Sequence, residues 1–521
     1  MRTASKVLSF MALVGLVLAL TATARADPLT VKTEQGRVHG KWMAHGKVRG
    51  FLGIPYAAPP VGELRWKAPE PPPGWKGVRN ALSYGARCIP GQPSPDMVFL
   101  DKTGPSEDCL YINLYAPADA TAASKLPVMF WIHGGGFFSG AGGEPRHNPD
   151  FLVPKGVVLI TFNYRLDVFG FLATADLAKE AGGTAGNYGF MDMIAALRWV
   201  KANIRNFGGD PGNITIFGES AGSFAVSTLI ASPMAQGLFQ KAIGESGAAF
   251  GSSLHYAPLA EREKTGGAWV ASLGVHSLKE LRSLPAATIR AASLKKGIMA
   301  FPPDIDGKVL TEPVSATYAA GRQAHIPLLA GWNADEGIAF GKHDVTAAQW
   351  KEEAEKLFKG RAAEFLQFYP ADSDAQATRS STEYAGDAVI AFGTWKWIEA
   401  QVKTGEAPVY RYHFELPAPD STYFKGGHTA HADDIEYVFG TLDTRPGAVW
   451  RPEDRKLSEQ MMDYWTNFAK TDDPNGPGLP LWPRFDKTGA LLHLNNPITS
   501  GPDTARPRYE FLLQGMPPFH L

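Results

Sequence analysis

Ser220 stands in Gly218-Glu219-Ser220-Ala221-Gly222, a G-x-S-x-G pattern that suits a serine nucleophile held on a sharp strand-to-helix turn. The flanking glycines matter because the serine backbone is strained at such a turn and larger neighbours would collide there. The helix that follows would favour negative charge at its N-terminus, beside the hydroxyl. The pattern also occurs by chance, so its context has to carry it. A second segment, His133-Gly134-Gly135-Gly136-Phe137, supplies another part of acyl-transfer chemistry. Attack on a carbonyl builds negative charge on its oxygen, and a glycine-rich main chain can bring free N–H groups close to that charge. The competing readings are a plain glycine-rich loop and a phosphate cradle, the latter weakened because no Gly-Lys-Ser/Thr follows these glycines. A serine nucleophile also needs a base and an acid that orients the base, in the chain order Ser, Asp or Glu, then His. Of the thirteen histidines, His428, His431, His493 and His520 lie late enough in the chain, and spacing does not choose among them.

Such groups need a rigid scaffold. Residues 128–132, 157–160, 214–217 and 326–330 are short apolar runs, which suits strands buried on both faces of a mostly parallel sheet. Ile194, Leu197, Val200 and Ile204 recur at near-helical spacing, predicting a helix over residues 193–204 that packs on that sheet. Residues 223–231 read as the helix after Ser220. Strands and helices alternating in this way imply an α/β fold, a large and mostly parallel central sheet flanked by helices. Residues 345–397 read as mainly helical and are expected to form an insertion over the active-site end. The Pro-rich stretch 69–73 reads as a surface loop, since patterned sequence continues on both sides and no repeat interrupts it. The chain is therefore predicted to be a signal peptide over residues 1–26 and one domain over residues 27–521.

The leader prediction rests on Arg2 and Lys6, an almost unbroken apolar run over residues 7–20, and Ala24-Arg25-Ala26 with small residues where a signal peptidase reads. The run is short for a membrane span, which needs about 20 apolar residues, so no stable anchor is expected. The protein is expected to be exported, to the periplasm or beyond. With 44% hydrophobic residues, 20% charged residues and a net charge of −1, the chain can bury a large core and offers no basic stripe for nucleic acid. Composition carries no signal for oligomeric state. Only Cys88 and Cys109 are present, without CxxC or HExxH spacing, so no metal site is expected there. In an exported protein two nearby cysteines favour a disulfide, worth roughly 3 kcal/mol on the loop-entropy model.

Several longer segments point one way. Phe51-Leu52-Gly53-Ile54-Pro55-Tyr56-Ala57, Glu107-Asp108-Cys109-Leu110-Tyr111-Ile112-Asn113, Asn163-Tyr164-Arg165 and Phe207-Gly208-Gly209-Asp210-Pro211 stand in order beside the serine motif. Together they resemble the type-B carboxylesterase and cholinesterase family, from about Leu29 to the C-terminal region. The resemblance implies the α/β-hydrolase fold and assigns roles. In Gly331-Trp332-Asn333-Ala334-Asp335-Glu336-Gly337 the glutamate before the glycine corresponds to the triad acid, hence Glu336, with Asp335 as rival. The segment from His431 to Gly440 resembles the one that carries the base, which selects His431 over His428. Gly135, Gly136 and Ala221 correspond to the oxyanion donors, and Ser246 to a serine supporting the acid and base. Cys88 and Cys109 match the family's first disulfide, while its other cysteines are absent.

On this reading the partner is a small-molecule ester, cleaved through an acyl-enzyme without any cofactor. An amidase, carbamate hydrolase or acyltransferase could use the same residues, because pocket shape chooses the leaving group and acceptor. A non-catalytic binding protein of this fold is disfavoured by the presence of Ser220, Glu336, His431 and the glycine loop together. Small acyl groups and bulky or aromatic alcohols are expected. Phe99 lies in the cysteine loop, with Met97 and Val98, where cholinesterases place a cation-binding tryptophan. Phe301, with Pro302 and Pro303, resembles the segment that walls the acyl pocket. Poor use of choline esters follows from the missing tryptophan.

Overall fold

The computed structural model describes residues 27–91, 104–251, 254, 256–422 and 425–519. Its centre is an eleven-stranded sheet. In chain order the strands are β1 (Lys41–Met43), β2 (Val48–Pro55), β3 (Tyr111–Pro117), β4 (Leu126–Ile132), β5 (Val158–Phe162), β6 (Gly209–Glu219), β7 (Lys241–Glu245), β8 (Leu328–Asn333), β9 (Val409–Phe414), β10 (Ala490–Leu494) and β11 (Thr499–Pro502). Across the sheet they lie in the order β11-β10-β9-β8-β7-β6-β4-β5-β3-β2-β1. All neighbours from β10 through to β5 run parallel, and antiparallel pairs close both edges.

Both faces of the central strands are covered, which is why the four runs read from the sequence are continuously apolar. Side chains alternate between faces along a strand. Val128, Phe130 and Ile132 of β4 accordingly join one core cluster, while Met129 and Trp131 join the other. The same split places Leu328 and Ala330 of β8 in the first cluster and Leu329 in the second. The first face is covered by α1 (Tyr188–Asn203) and α2 (Ala221–Ala231), through residues such as Leu197, Val200, Val226 and Leu229. Further along, the chain forms α3 (Ala347–Leu357), α4 (Ala362–Phe368), α5 (Asp374–Gly386) and α6 (Phe392–Thr404), so residues 345–397 are mainly helical. The second face is covered by α7 (Ile435–Phe439) and α8 (Pro452–Thr471), whose Leu457, Met461, Trp465 and Phe468 point into it.

Boundaries moved where backbone chemistry overrides apolar content. The run expected to start at Ile326 pairs in the ladder from Leu328, because Pro327 has no N–H to donate, although its carbonyl accepts from the Ala242 N–H at 3.1 Å. The run at 157–160 becomes Val158–Phe162, and the expected helix starts five residues earlier, at Tyr188. Residues 69–73 have no regular structure. Cys88 and Cys109 are bonded. No helix among the described residues is long and apolar enough to cross a membrane.

Candidate active site

Ser220 joins β6 directly to α2, with φ 54° and ψ −123°. A side chain at positive φ is strained, and the surroundings hold it there. The Ser220 N–H donates to the Glu245 carbonyl at 2.9 Å. A Cβ on Gly222 would lie 2.0 Å from the Ile132 carbonyl oxygen, and one on Gly218 would lie 2.6 Å from that same atom. The two motif glycines therefore let α2 and β6 close on the end of β4, which leaves the serine at the C-terminal end of a central strand.

The glycine loop leaves β4 and meets the same point. A Cβ on Gly134 would lie 2.7 Å from Glu219 Oε2 and 3.2 Å from Ser220 Cβ. Gly135 and Gly136 have φ of 98° and 62°, where glycine is favoured. Their N–H groups donate to no partner among the described residues, whereas the Gly135 carbonyl accepts from Phe138 and Ser139. Ala221 opens α2, so its N–H stands at a helix N-terminus without an intrahelical acceptor. His133 holds the loop's base: its ring stacks on Tyr164 at 4.3 Å, and Nδ1 lies 2.9 Å from the Gly134 carbonyl. Burial pushes its imidazole down to about 4, so it is neutral at pH 7.

His431 and Glu336 arrive on loops beyond β9 and β8. His431 Nε2 lies 2.8 Å from Ser220 Oγ, and Nδ1 lies 2.6 Å from Glu336 Oε2. The other oxygen of Glu336 accepts from the Asn333 N–H at 2.8 Å. Asp335, the rival acid, accepts instead from the Thr429 N–H and hydroxyl, at 2.9 and 3.1 Å, and so ties down the loop leading to His431. Among the other late histidines, His428 is exposed, His493 pairs with Glu415, and His520 lies outside the described residues. Ala432, next to His431, has φ 68°, a second strained backbone at the site.

Ser246 is fully buried at φ 58°, and its hydroxyl has no hydrogen-bond partner among the described residues; its N–H donates to the Gly331 carbonyl at 2.9 Å. The Ser246 hydroxyl thus makes no hydrogen bond to Glu336 or His431. Further carboxyls stand close to them. Glu219 Oε1 lies 3.4 Å from His431 Nε2, a contact the sequence reading did not weigh although Glu219 directly precedes Ser220. Asp434 accepts from Tyr412 and Asn333, and Glu245 accepts from Trp465 Nε1 at 2.7 Å. Burial first, and then the negative charge of Glu336, drives the Asp434 carboxyl up; burial and Asp434 do the same to Glu245.

Beside Ser220 opens a cavity of about 1170 Å³. Gly135, Gly136, Ser220, Ala221 and His431 all line it. Its walls include Phe138, Phe224, Phe340 and Trp350, so the helical insertion does cover the site, through α3. Phe301 does not line it. That ring packs edge-on against Trp269 at 5.0 Å, inside the first core cluster, and the wall is formed by Ile298 and Met299 of the same segment. An apolar ring is stabilised more by the core than by an open cavity. Phe99, the other expected pocket residue, lies outside the described residues, with Met97 and Val98.

The family model described as "Carboxylesterase family" matches residues 27–512. A fumonisin B1 esterase of Sphingopyxis macrogoltabida is 36% identical over 494 residues, covering 91% of this chain and 88% of that protein. A para-nitrobenzyl esterase of Bacillus subtilis (strain 168) is 36% identical over 491 residues, covering 90% and 95%. Among solved structures, a PNB esterase superposes with a TM-score of 0.81 at 33% identity, covering 93% of this chain and 99% of that one.

Proposed function

This chain belongs to the carboxylesterase family and is a carboxylic ester hydrolase, and on that premise we propose that Ser220, His431 and Glu336 carry the hydrolysis. One observation carries this reading: a single imidazole bridges the Ser220 hydroxyl at 2.8 Å and the Glu336 carboxylate at 2.6 Å. His431 Nε2 takes the hydroxyl proton as Oγ attacks the ester carbonyl carbon. The oxygen that becomes negative lies against the N–H groups of Gly135, Gly136 and Ala221. His431 returns the proton to the leaving alcohol, and water repeats the steps on the acyl-enzyme. Glu336 fixes the tautomer that leaves Nε2 free to accept, and Glu219 adds a second carboxylate that favours the transient imidazolium. Ser246 supports the site through its backbone. The cycle uses only these side chains and backbone groups.

The size of the cavity supports esters with bulky or aromatic alcohols, since pockets of ~300–1,000 Å³ already hold drug-sized ligands. A small acyl group remains the proposal for the other side, with choline esters used poorly. We further propose that residues 27–521 act as one catalytic unit released from an N-terminal leader, giving a mature protein that begins at Asp27; intact mass of exported protein tests this. The decisive test of the site is labelling by a fluorophosphonate probe together with hydrolysis of acetyl, butyryl and octanoyl esters of one aryl alcohol. Labelling of the wild type and its loss in Ser220→Ala are expected, as is a preference for acetyl or butyryl. Equal labelling of both proteins would remove Ser220 from its role, and a preference for octanoyl would overturn the acyl assignment alone.

A further inference from the structure

Beside the line of the triad, on β9 and the adjacent strand β10, the sheet brings together three side chains the ester chemistry does not use. His413 of β9 and His493 of β10 are register partners on adjacent parallel strands. Glu415 follows β9 by one residue, and its N–H continues the ladder by donating to the Leu494 carbonyl at 2.9 Å. Positions two apart on a strand share a face, so His413, Glu415 and His493 project from the sheet side by side. Glu415 Oε1 lies 2.8 Å from His413 Nδ1 and 2.6 Å from His493 Nδ1. The nearest nitrogens and the carboxylate oxygen of the three residues lie within 4.8 Å of one another. None of the three lines the cavity beside Ser220.

We infer that His413, Glu415 and His493 form a binding site for a divalent transition-metal cation, with zinc the ion that two imidazoles and one carboxylate suit best. The side chains are 28%, 25% and 26% accessible, open enough for an ion and its remaining water ligands to enter. A carboxylate only accepts, so in the empty site each Nδ1 carries a proton and donates it to Oε1. Zinc takes the place of both protons: each ring changes tautomer, Nδ1 giving its proton to water while Nε2 takes one up from water, so that the neutral imidazole turns its Nδ1 lone pair to the metal and Oε1 becomes the third ligand. At metal–ligand distances of about 2.0–2.2 Å, tetrahedral ligand atoms stand roughly 3.3 Å apart. The two contacts therefore have to open by about 0.5–0.7 Å, which rotation of partly exposed side chains supplies. Trp332, register partner of His413 on β8, packs edge-on against that imidazole at 6.1 Å and limits its rotation.

The test is titration of chelator-treated, full-length protein with zinc chloride at pH 7.5, followed by calorimetry and by thermal melting. One zinc per chain, bound about tenfold or more weakly by His493→Gln and by Glu415→Gln, is the expected result. Binding should weaken again at pH 5.5, where protons compete for the imidazoles. Hydrolysis of an aryl acetate within about twofold of wild type shows that each variant is folded. Absence of stoichiometric binding to the wild type at about 100 µM zinc, or equal binding by the His413→Gln/His493→Gln double variant, overturns the site and leaves a hydrogen-bonded bridge between two strands.

Discussion

Two histidine–carboxylate groupings stand on or just beyond neighbouring strands of one sheet, and they are built for different chemistry. At His431 the carboxylate, Glu336, is 2% accessible and faces one imidazole, whose far nitrogen meets a hydroxyl. At Glu415 a quarter of the side chain is accessible, and one oxygen faces two imidazoles with no hydroxyl between them. The first arrangement has a direction: carboxylate, imidazole and hydroxyl form a line, and on the proposed reading a proton passes between the hydroxyl and the ring. The second has a centre. Both use the same residue types and nearly the same contact lengths. The difference is what lies on the far side of each ring and how much water reaches it, neither of which belongs to the residues themselves.

The comparison breaks most visibly at the nucleophile. Ser220→Ala and His431→Ala should each lower kcat by about 10⁴–10⁶ with a nearly unchanged thermal transition, read by steady-state hydrolysis of an aryl acetate and by melting. Activity within tenfold of wild type in either purified variant would dissolve the line. The two carboxylates sharpen the contrast next. Glu336→Gln leaves the geometry but not the tautomer, and a loss of about 10⁴ in kcat is expected, against less than about twofold for Glu415→Gln. Comparable losses in the two would mean that the groupings are not separate.

A smaller effect comes from a histidine with no carboxylate at all. His147 is buried between Trp131 and Phe439, with ring centroids at 5.0 and 5.4 Å. Burial, then the positive charge of Arg146, holds its imidazole well below 6.5. Its folded form is therefore neutral, and the unfolded chain takes up a proton first as pH falls. The stability tied to His147 is complete above pH 6.5 and is lost as pH falls below it toward the folded value. His147→Phe lacks that loss. The melting temperature of the variant should gain on wild type by about 2 °C or more between pH 7 and pH 5. A gap that stays constant, or that closes, would show that the ring is not held neutral by burial.

Much of this was legible along the chain. The strand runs could be read because strands covered on both faces leave no polar period, and the serine turn could be read because its glycines form one short pattern, although the contact that requires Gly222, 2.0 Å from a Cβ there to the Ile132 carbonyl, comes from β4. The choice of Glu336 and His431 came from likeness of whole segments. Spacing alone left four histidines open and singled out no acid, since the partners lie 95 and 211 residues apart in the contacts they make.

What the sequence determined by itself is therefore local: the periodicity of the strands, the serine turn and the glycine loop, each written within one short segment. Only the tertiary structure decided which side chains meet across the sheet. It drew Phe301 onto Trp269 and left the cavity wall to Ile298 and Met299, because packing in the core outweighs lining a cavity. It set Glu219 beside His431 and His413 beside His493, residues 212 and 80 positions apart, because the order of strands in a parallel sheet is fixed by how the helices pack and not by any pattern within a strand.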